Sequence, residues 1–137
     1  MDLNHLFQLF TNIPEEGIME NVESYKNTPK FKLGMFIKLV INGSHFKNKI
    51  ISFFSKSDSE LDKEDIDRAG EFMMFTRAWY WISQFDFDDN EWLFDLQNAA
   101  YDDILISLNL SILYFEKNEE YEKCSFLVNI RSLIESN

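Results

Sequence analysis

The 137-residue sequence predicts an all-α protein, an irregular bundle of about five to six helices that ends in an antiparallel helical hairpin. Two observations support this prediction. Apolar residues recur at spacings of three and four along most of the chain, which is the helical period. Capping residues or a proline also precede most of these stretches, as they do at helix starts. The length fits a single domain spanning residues 1–137.

The first three helix starts lie within the first thirty residues. Asp2 is a candidate cap for a helix from about Leu3 to Phe10. Four apolar side chains share one face of that helix: Leu3, Leu6, Phe7 and Phe10. Pro14, followed by two glutamates, begins a second helix because acids stabilise the positive end of a helix dipole. Thr28 and Pro29 then end this helix and begin the next one.

The segment from residue 31 to residue 54 has two interpretations. As a helical pair, Gly43 would end one helix and Ser44 would cap the next. As a β-hairpin in an α+β fold, alternating apolar residues would flank an Asn42-Gly43 turn. The helical pair is favoured, because the hairpin would place Phe36 and Val40 on its polar face.

Three longer helices complete the prediction. The first, from about residue 60 to 84, carries two apolar stripes and is therefore expected to be central. The stripes comprise Ile66, Ala69, Met73, Thr76 and Tyr80, and Phe72, Phe75, Trp79 and Ile82. Asp88 and Glu91 resemble a capping box that begins a helix from Asp89 to about Phe115. A short turn at Lys117 and Asn118 leads to the last helix, from Glu119 to about Ile134, with Cys124 on its apolar face.

No motif for catalysis, metal binding or a cofactor is found. The two histidines, His5 and His45, are isolated from other ligand residues, and the four glycines are scattered along the chain. Residues 86–91 begin like a calcium loop but lack the required glycine and the bidentate glutamate. We therefore expect no metal, no cofactor and no enzymatic activity.

Charge is distributed unevenly along the chain. Residues 1–57 contain seven lysines and five acids, a net charge of +2, whereas residues 58–137 contain six basic and nineteen acidic residues, a net charge of −13. Lysines and aromatics alternate between Lys30 and Lys56, a pattern found in nucleic-acid-binding proteins. Binding to nucleic acid is nevertheless not expected. The segment has no arginine, and the net negative charge of the whole chain repels phosphate.

The single cysteine suits a reducing compartment. The first residues do not resemble a signal peptide, and the longest apolar stretch, residues 33–41, is too short to span a membrane. We therefore expect a cytoplasmic protein that is not bound to a membrane.

The strongest candidate for a binding site lies between Trp79 and Leu96, where all three tryptophans occur among aromatics and acids. Large aromatics with few lysines are typical of protein-binding hot spots. The predicted partner-binding residues are Trp81, Phe87, Asp88, Asp89 and Trp92. An acidic run is predicted to steer a basic partner: Asp58, Glu60, Asp62, Glu64, Asp65 and Asp67. Packing inside the bundle is the alternative role for these aromatics.

These features favour a small acidic protein-binding module that sequesters a basic partner. In composition and size the chain resembles immunity proteins and anti-defence inhibitors. Their targets include toxins, nucleases and other proteins with a basic surface. The alternative is a structural or regulatory subunit, in a homodimer or a hetero-oligomer, in which the same aromatics form a permanent interface.

Overall fold

The computed structural model describes residues 15–56 and 62–136, and these residues form an all-α fold. Six helices occur within them: α1 (Glu15–Lys26), α2 (Pro29–Lys56), α3 (Lys63–Ile82), α4 (Asn90–Gln97), α5 (Tyr101–Lys117) and α6 (Tyr121–Glu135). No strand occurs over these ranges, so the all-α prediction is confirmed and the β-hairpin alternative is wrong. The helix predicted at Leu3–Phe10 lies outside the described residues.

The junction between α1 and α2 follows the sequence prediction. Pro29 is the first residue of α2, where its missing N–H costs nothing. The Thr28 hydroxyl accepts a hydrogen bond from the Phe31 N–H at 3.3 Å and donates one to the Tyr25 carbonyl at 2.7 Å. Thr28 therefore satisfies free backbone groups at both adjoining helix ends.

A single continuous helix, α2, replaces the predicted helical pair. Gly43, expected to end a helix, is buried in the middle of α2, and a Cβ at that position would overlap the thioether of Met74 on α3. Glycine costs about 1 kcal/mol in a helix interior. Here the glycine permits close packing of α2 on α3. The contact with Met74 therefore explains why a glycine lies inside a helix, at a position where the sequence resembles a turn.

Helices α2 and α3 form an antiparallel pair. Phe31 at the start of α2 packs against Trp81 at the end of α3, with ring centroids 5.6 Å apart. Lys47, further along α2, contacts Asp67 near the start of α3, with 2.8 Å between the ammonium nitrogen and a carboxylate oxygen. Phe36 and Val40, both buried, face this pair's core together with Phe75.

The helix predicted from Asp89 to Phe115 is two helices, α4 and α5, separated by residues 98–100. Asn98 caps the end of α4, where its backbone N–H and its side-chain amide both donate to the Phe94 carbonyl, at 3.1 and 2.7 Å. The apolar spacing of four runs through the break. Periodicity alone therefore predicted one helix where the chain turns.

Helices α5 and α6 form the predicted antiparallel hairpin. Arg131 on α6 donates to the Asn109 side-chain oxygen on α5 at 2.8 Å. The connecting turn is a Schellman motif, in which the Glu120 N–H bonds the Phe115 carbonyl and the Glu119 N–H bonds the Glu116 carbonyl. Glu119 occupies the left-handed position with φ of 59°, where glycine is usual.

The relative direction of α3 and α5 determines which loops meet. Phe75 and Trp79 on α3 pack against Tyr114 and Phe115 on α5, with ring centroids 4.3 Å and 5.7 Å apart. Since Trp79 and Phe115 both lie in the last turns of their helices, α3 and α5 end at the same end of the bundle. Phe72, predicted on the same stripe as Trp79, is instead 61% exposed, because no described residue covers that part of α3.

Candidate protein-binding surface

Two segments distant in sequence meet at the end of the bundle where α3 and α5 finish. Phe87, in the loop between α3 and α4, packs edge-on against Phe126 of α6 with ring centroids 5.5 Å apart. Phe126 also contacts Trp79 at 5.4 Å. These contacts place the α3–α4 loop beside the turn that joins α5 to α6.

Both segments are rich in exposed carboxylates. We call this surface the acidic end and define it by Asp86, Asp88, Glu116, Glu119 and Glu122, which are all exposed. Over residues 83–91 and 115–123 the sequence contains two basic residues, Lys117 and Lys123. The ammonium of Lys123 lies 3.0 Å from a carboxylate oxygen of Glu120. The acidic end therefore has a strongly negative local charge.

The loop at the acidic end is held by its own aspartates. A carboxylate oxygen of Asp86 accepts the Asp88 N–H at 2.9 Å. Asp89 caps α4 by accepting the Glu91 N–H, also at 2.9 Å. The capping residue is thus Asp89, one residue after the predicted Asp88. Of the two predicted binding aspartates, Asp88 is exposed, whereas Asp89 is half-buried and engaged in the cap.

Trp92, predicted to bind a partner, is a core residue. It is 5% exposed and packs against Phe85 with ring centroids 5.2 Å apart, while the ammonium of Lys32 lies 5.9 Å from its ring. The short α4 turns this side chain inward, against α2 and the loop. Its assignment to a binding surface is therefore corrected. Phe87 is half-buried between Phe85 and Phe126, so only part of its ring is accessible.

Trp81 lies apart from Phe87. Residues 79 and 81 are about 200° apart around a helix, so their side chains leave α3 on opposite sides. Trp79 faces α5 and α6, while half-buried Trp81 packs against Phe31 of α2 and against Tyr80, at 5.6 and 5.1 Å. The structure thus does not join the five predicted binding residues into one patch.

The predicted steering acids that the structure describes lie at the opposite end of α3. Asp58 and Glu60 are outside the described residues. Asp62 caps α3, and Glu64 pairs with Arg68 at 3.2 Å. Asp67 pairs with Lys47 at 2.8 Å, whereas Asp65 is exposed. A helix of this length spans about 30 Å, so these acids and the acidic end are separate surfaces.

Sequence reasoning missed an apolar area next to the acidic end. Tyr121 and Leu113 are 63% and 62% exposed. They line a groove of about 580 Å³ on the outer face of the α5–α6 hairpin, together with Ile112, Glu116 and Val128. We call it the hairpin groove. The exposed tyrosine between two glutamates was the available signal, and only the fold places it beside Leu113 and Glu116 of α5.

Cys124 borders the hairpin groove but is not activated. Burial raises the pKa of the Cys124 thiol most, and the Glu116 carboxylate raises it further. A backbone hydrogen bond lowers it, and Glu120 makes the smallest contribution, which raises it. The thiol therefore stays protonated at neutral pH and lies 3.6 Å from the Ile112 carbonyl. Burial likewise raises the pKa of Tyr114, with Glu71 and Glu120 contributing.

The described residues show no metal site and no membrane-spanning helix. No group of three or more His, Cys, Asp or Glu in the described ranges is arranged to hold a metal ion. None of the described helices is long and apolar enough to cross a membrane. Comparison of the chain with protein-family models, with curated proteins and with solved structures found no match.

Proposed function

We propose that this protein binds a partner protein with a basic surface through its acidic end. In this proposal it is a sequestering inhibitor of the immunity or anti-defence type in the cytoplasm, and it has no catalytic role. The observation that supports the proposal most strongly is the packing of Phe87 against Phe126. This contact joins two acidic segments of the chain into one surface.

The charge of this surface would act mainly on the rate of association. Clustered charges of one sign attract an oppositely charged partner over roughly a Debye length and can raise the association rate constant about 10- to 1,000-fold. A toxin or nuclease that binds phosphate would present the complementary basic surface. Covering that surface would block its substrate.

The hairpin groove would supply the contact that holds the complex together. Tyrosine is enriched among the residues that dominate binding energy, and an apolar pocket beside it can receive an aliphatic or aromatic side chain. Glu116 belongs to the acidic end and also lines the hairpin groove, so the two surfaces adjoin. The proposed interface therefore has an apolar centre with an acidic edge.

The test begins with affinity capture at low salt, which serves to identify and purify the partner. The association rate constant is then measured for a variant that neutralises four acids of the acidic end: Asp86→Asn, Asp88→Asn, Glu119→Gln and Glu122→Gln. We expect association to be about tenfold slower at low ionic strength, because long-range attraction is reduced. Asparagine at position 86 can still accept the Asp88 N–H.

The matched control removes the same number of charges from the other end of α3 and α5: Glu64→Gln, Asp65→Asn, Asp102→Asn and Asp103→Asn. We expect this control to slow association much less than the acidic-end variant does at the same ionic strength, since its charges lie a helix length from the acidic end and Coulomb attraction falls with distance. Equal slowing in both variants would assign the effect to net charge and refute a specific acidic end.

A subunit of a homodimer is the second candidate function, because α5 carries an exposed apolar stripe formed by Ile106, Leu110 and Leu113. Light scattering discriminates between the two. The sequestering proposal predicts a monomer of 16.3 kDa without the partner. A stable dimer that Leu110→Asp dissociates would favour the subunit role.

A further inference from the structure

A groove between α2 and α3 shares no residue with the acidic end or with the hairpin groove. It has a volume of about 350 Å³, and its apolar walls are formed by Met35, Leu39, Met73 and Met74. We call it the methionine groove. Met73 is 53% exposed, and Met74 lies across Gly43. Clefts of roughly 300 to 1,000 Å³ with apolar walls and a few polar groups are typical of sites for small molecules.

Two cations lie at the edge of the methionine groove, one from each helix. Lys38 of α2 and Arg77 of α3 line it, and both residues are exposed. Within the part of the chain that the structure describes, neither forms an ion pair, in contrast to Lys47, Arg68 and Lys123. Two unpaired cations beside an apolar groove, in a protein with a net charge of −11, favour an anionic occupant.

The antiparallel pairing of α2 and α3 brings these two cations to similar heights. An aromatic contact at one end of the pair and an ion pair at the other set its register. In that register position 38 of α2 lies opposite about position 75 of α3, so Lys38 and Arg77 differ in height by roughly 3 Å. Their closeness suits one anionic head group, whereas the acids of a bound peptide helix would be spread along the groove.

We propose that the methionine groove binds a small amphipathic anion, namely a carboxylate with a short aliphatic tail. The carboxylate binds between Lys38 and Arg77, and arginine can hold it with two parallel hydrogen bonds. The groove extends along α2 from Met35 to Gly43, about 12 Å of helix, so it receives a medium-length tail. Methionine side chains are unbranched and polarisable, and they adapt to the shape of such a tail.

The test uses the full chain labelled with ¹³C at its methionine methyl groups and titrated with octanoate. Three of the five methionines line the groove: Met35, Met73 and Met74. We expect their signals to shift as octanoate is added and to saturate, because the tail displaces water from these methyl groups. The titration gives the Kd of octanoate for the groove.

The variant Lys38→Gln/Arg77→Gln removes both cations. We expect it to raise the Kd of octanoate about tenfold, since each exposed ion pair contributes modestly and the two act on one head group. The Kd of 1-octanol, which has the same tail and no charge, should stay within about twofold of its wild-type value. Methionine spectra without ligand check that the variant is folded and that its groove is intact.

The matched control, Lys49→Gln/Lys63→Gln, removes one exposed cation from each of the same two helices, beyond the residues that line the groove. Its Kd for octanoate should remain close to the wild-type value. Equal weakening in both variants, or in neither, would overturn the proposal, as would octanoate that leaves the three groove signals unshifted below its micelle concentration. Groove signals that change with protein concentration in the absence of ligand would mean that a second copy fills the groove, and this too would overturn it. None of these outcomes depends on a protein partner or on the acidic end.

Discussion

Replacing Trp79 by alanine is expected to lower the free energy of unfolding by about 3 kcal/mol, near the lower limit for truncation of large aromatic core residues. Trp79 is half-buried, yet it packs against Phe115 and Phe126 with ring centroids 5.7 and 5.4 Å away. The ammonium of Lys123 lies 5.3 Å from its ring. Trp79 thus joins three helices, and its loss leaves a cavity between them. Urea or guanidinium unfolding measures this change.

The matched control is Tyr80→Ala, the next residue on the same helix. Tyr80 is 62% exposed, so its truncation should cost less than about 1 kcal/mol. If Trp79→Ala also costs less than about 1 kcal/mol, Trp79 does not join α3 to the hairpin. The position of the α3–α4 loop beside Phe126 would then lose its main support.

Tyr121→Ala is expected to weaken partner binding by about 2 kcal/mol, which is about a 30-fold increase in Kd. The side chain is 63% exposed in the free protein, so its truncation should leave the melting temperature almost unchanged. The control is Tyr101→Ala. Tyr101 is 58% exposed and lies at the start of α5, at the other end of the α5–α6 hairpin from Tyr121. Titration calorimetry with the purified partner measures both affinities.

Equal affinities for wild type and Tyr121→Ala would remove the hairpin groove from the proposed interface. Equal losses for Tyr121→Ala and Tyr101→Ala would indicate an interface along the whole of α5. That result would favour the apolar stripe of Ile106, Leu110 and Leu113 over the acidic end.

Local rules predicted the helices but not their interruptions. The Thr28-Pro29 start and the α5–α6 hairpin follow from residue type and period. Gly43 resembles a turn in sequence, yet it lies inside α2 because Met74 of another helix packs across it. Residues 98–100 show the opposite error of prediction. The apolar spacing continues through them, although α4 ends there and is capped by Asn98.

The candidate surface depends on contacts that no local pattern encodes. Helical geometry separates Trp81 from Trp79, because side chains two residues apart leave a helix on nearly opposite sides. Burial of Trp92 depends on the direction in which the short α4 packs. The acidic end exists only because Phe87 meets Phe126, which is 39 residues further along the chain. Glu116, Glu119 and Glu122 could not be assigned to it before that contact was known.

The dependence of the association rate constant on salt tests the central claim most directly. The rate constant is measured with the purified partner from about 0.01 M salt, where the Debye length is about 30 Å, to about 1 M, where it is about 3 Å. The wild-type rate constant is predicted to fall steeply. The Asp86→Asn, Asp88→Asn, Glu119→Gln, Glu122→Gln variant should show a much smaller dependence and converge with wild type at high salt. A wild-type rate constant that is flat across this range would contradict recognition through the acidic end.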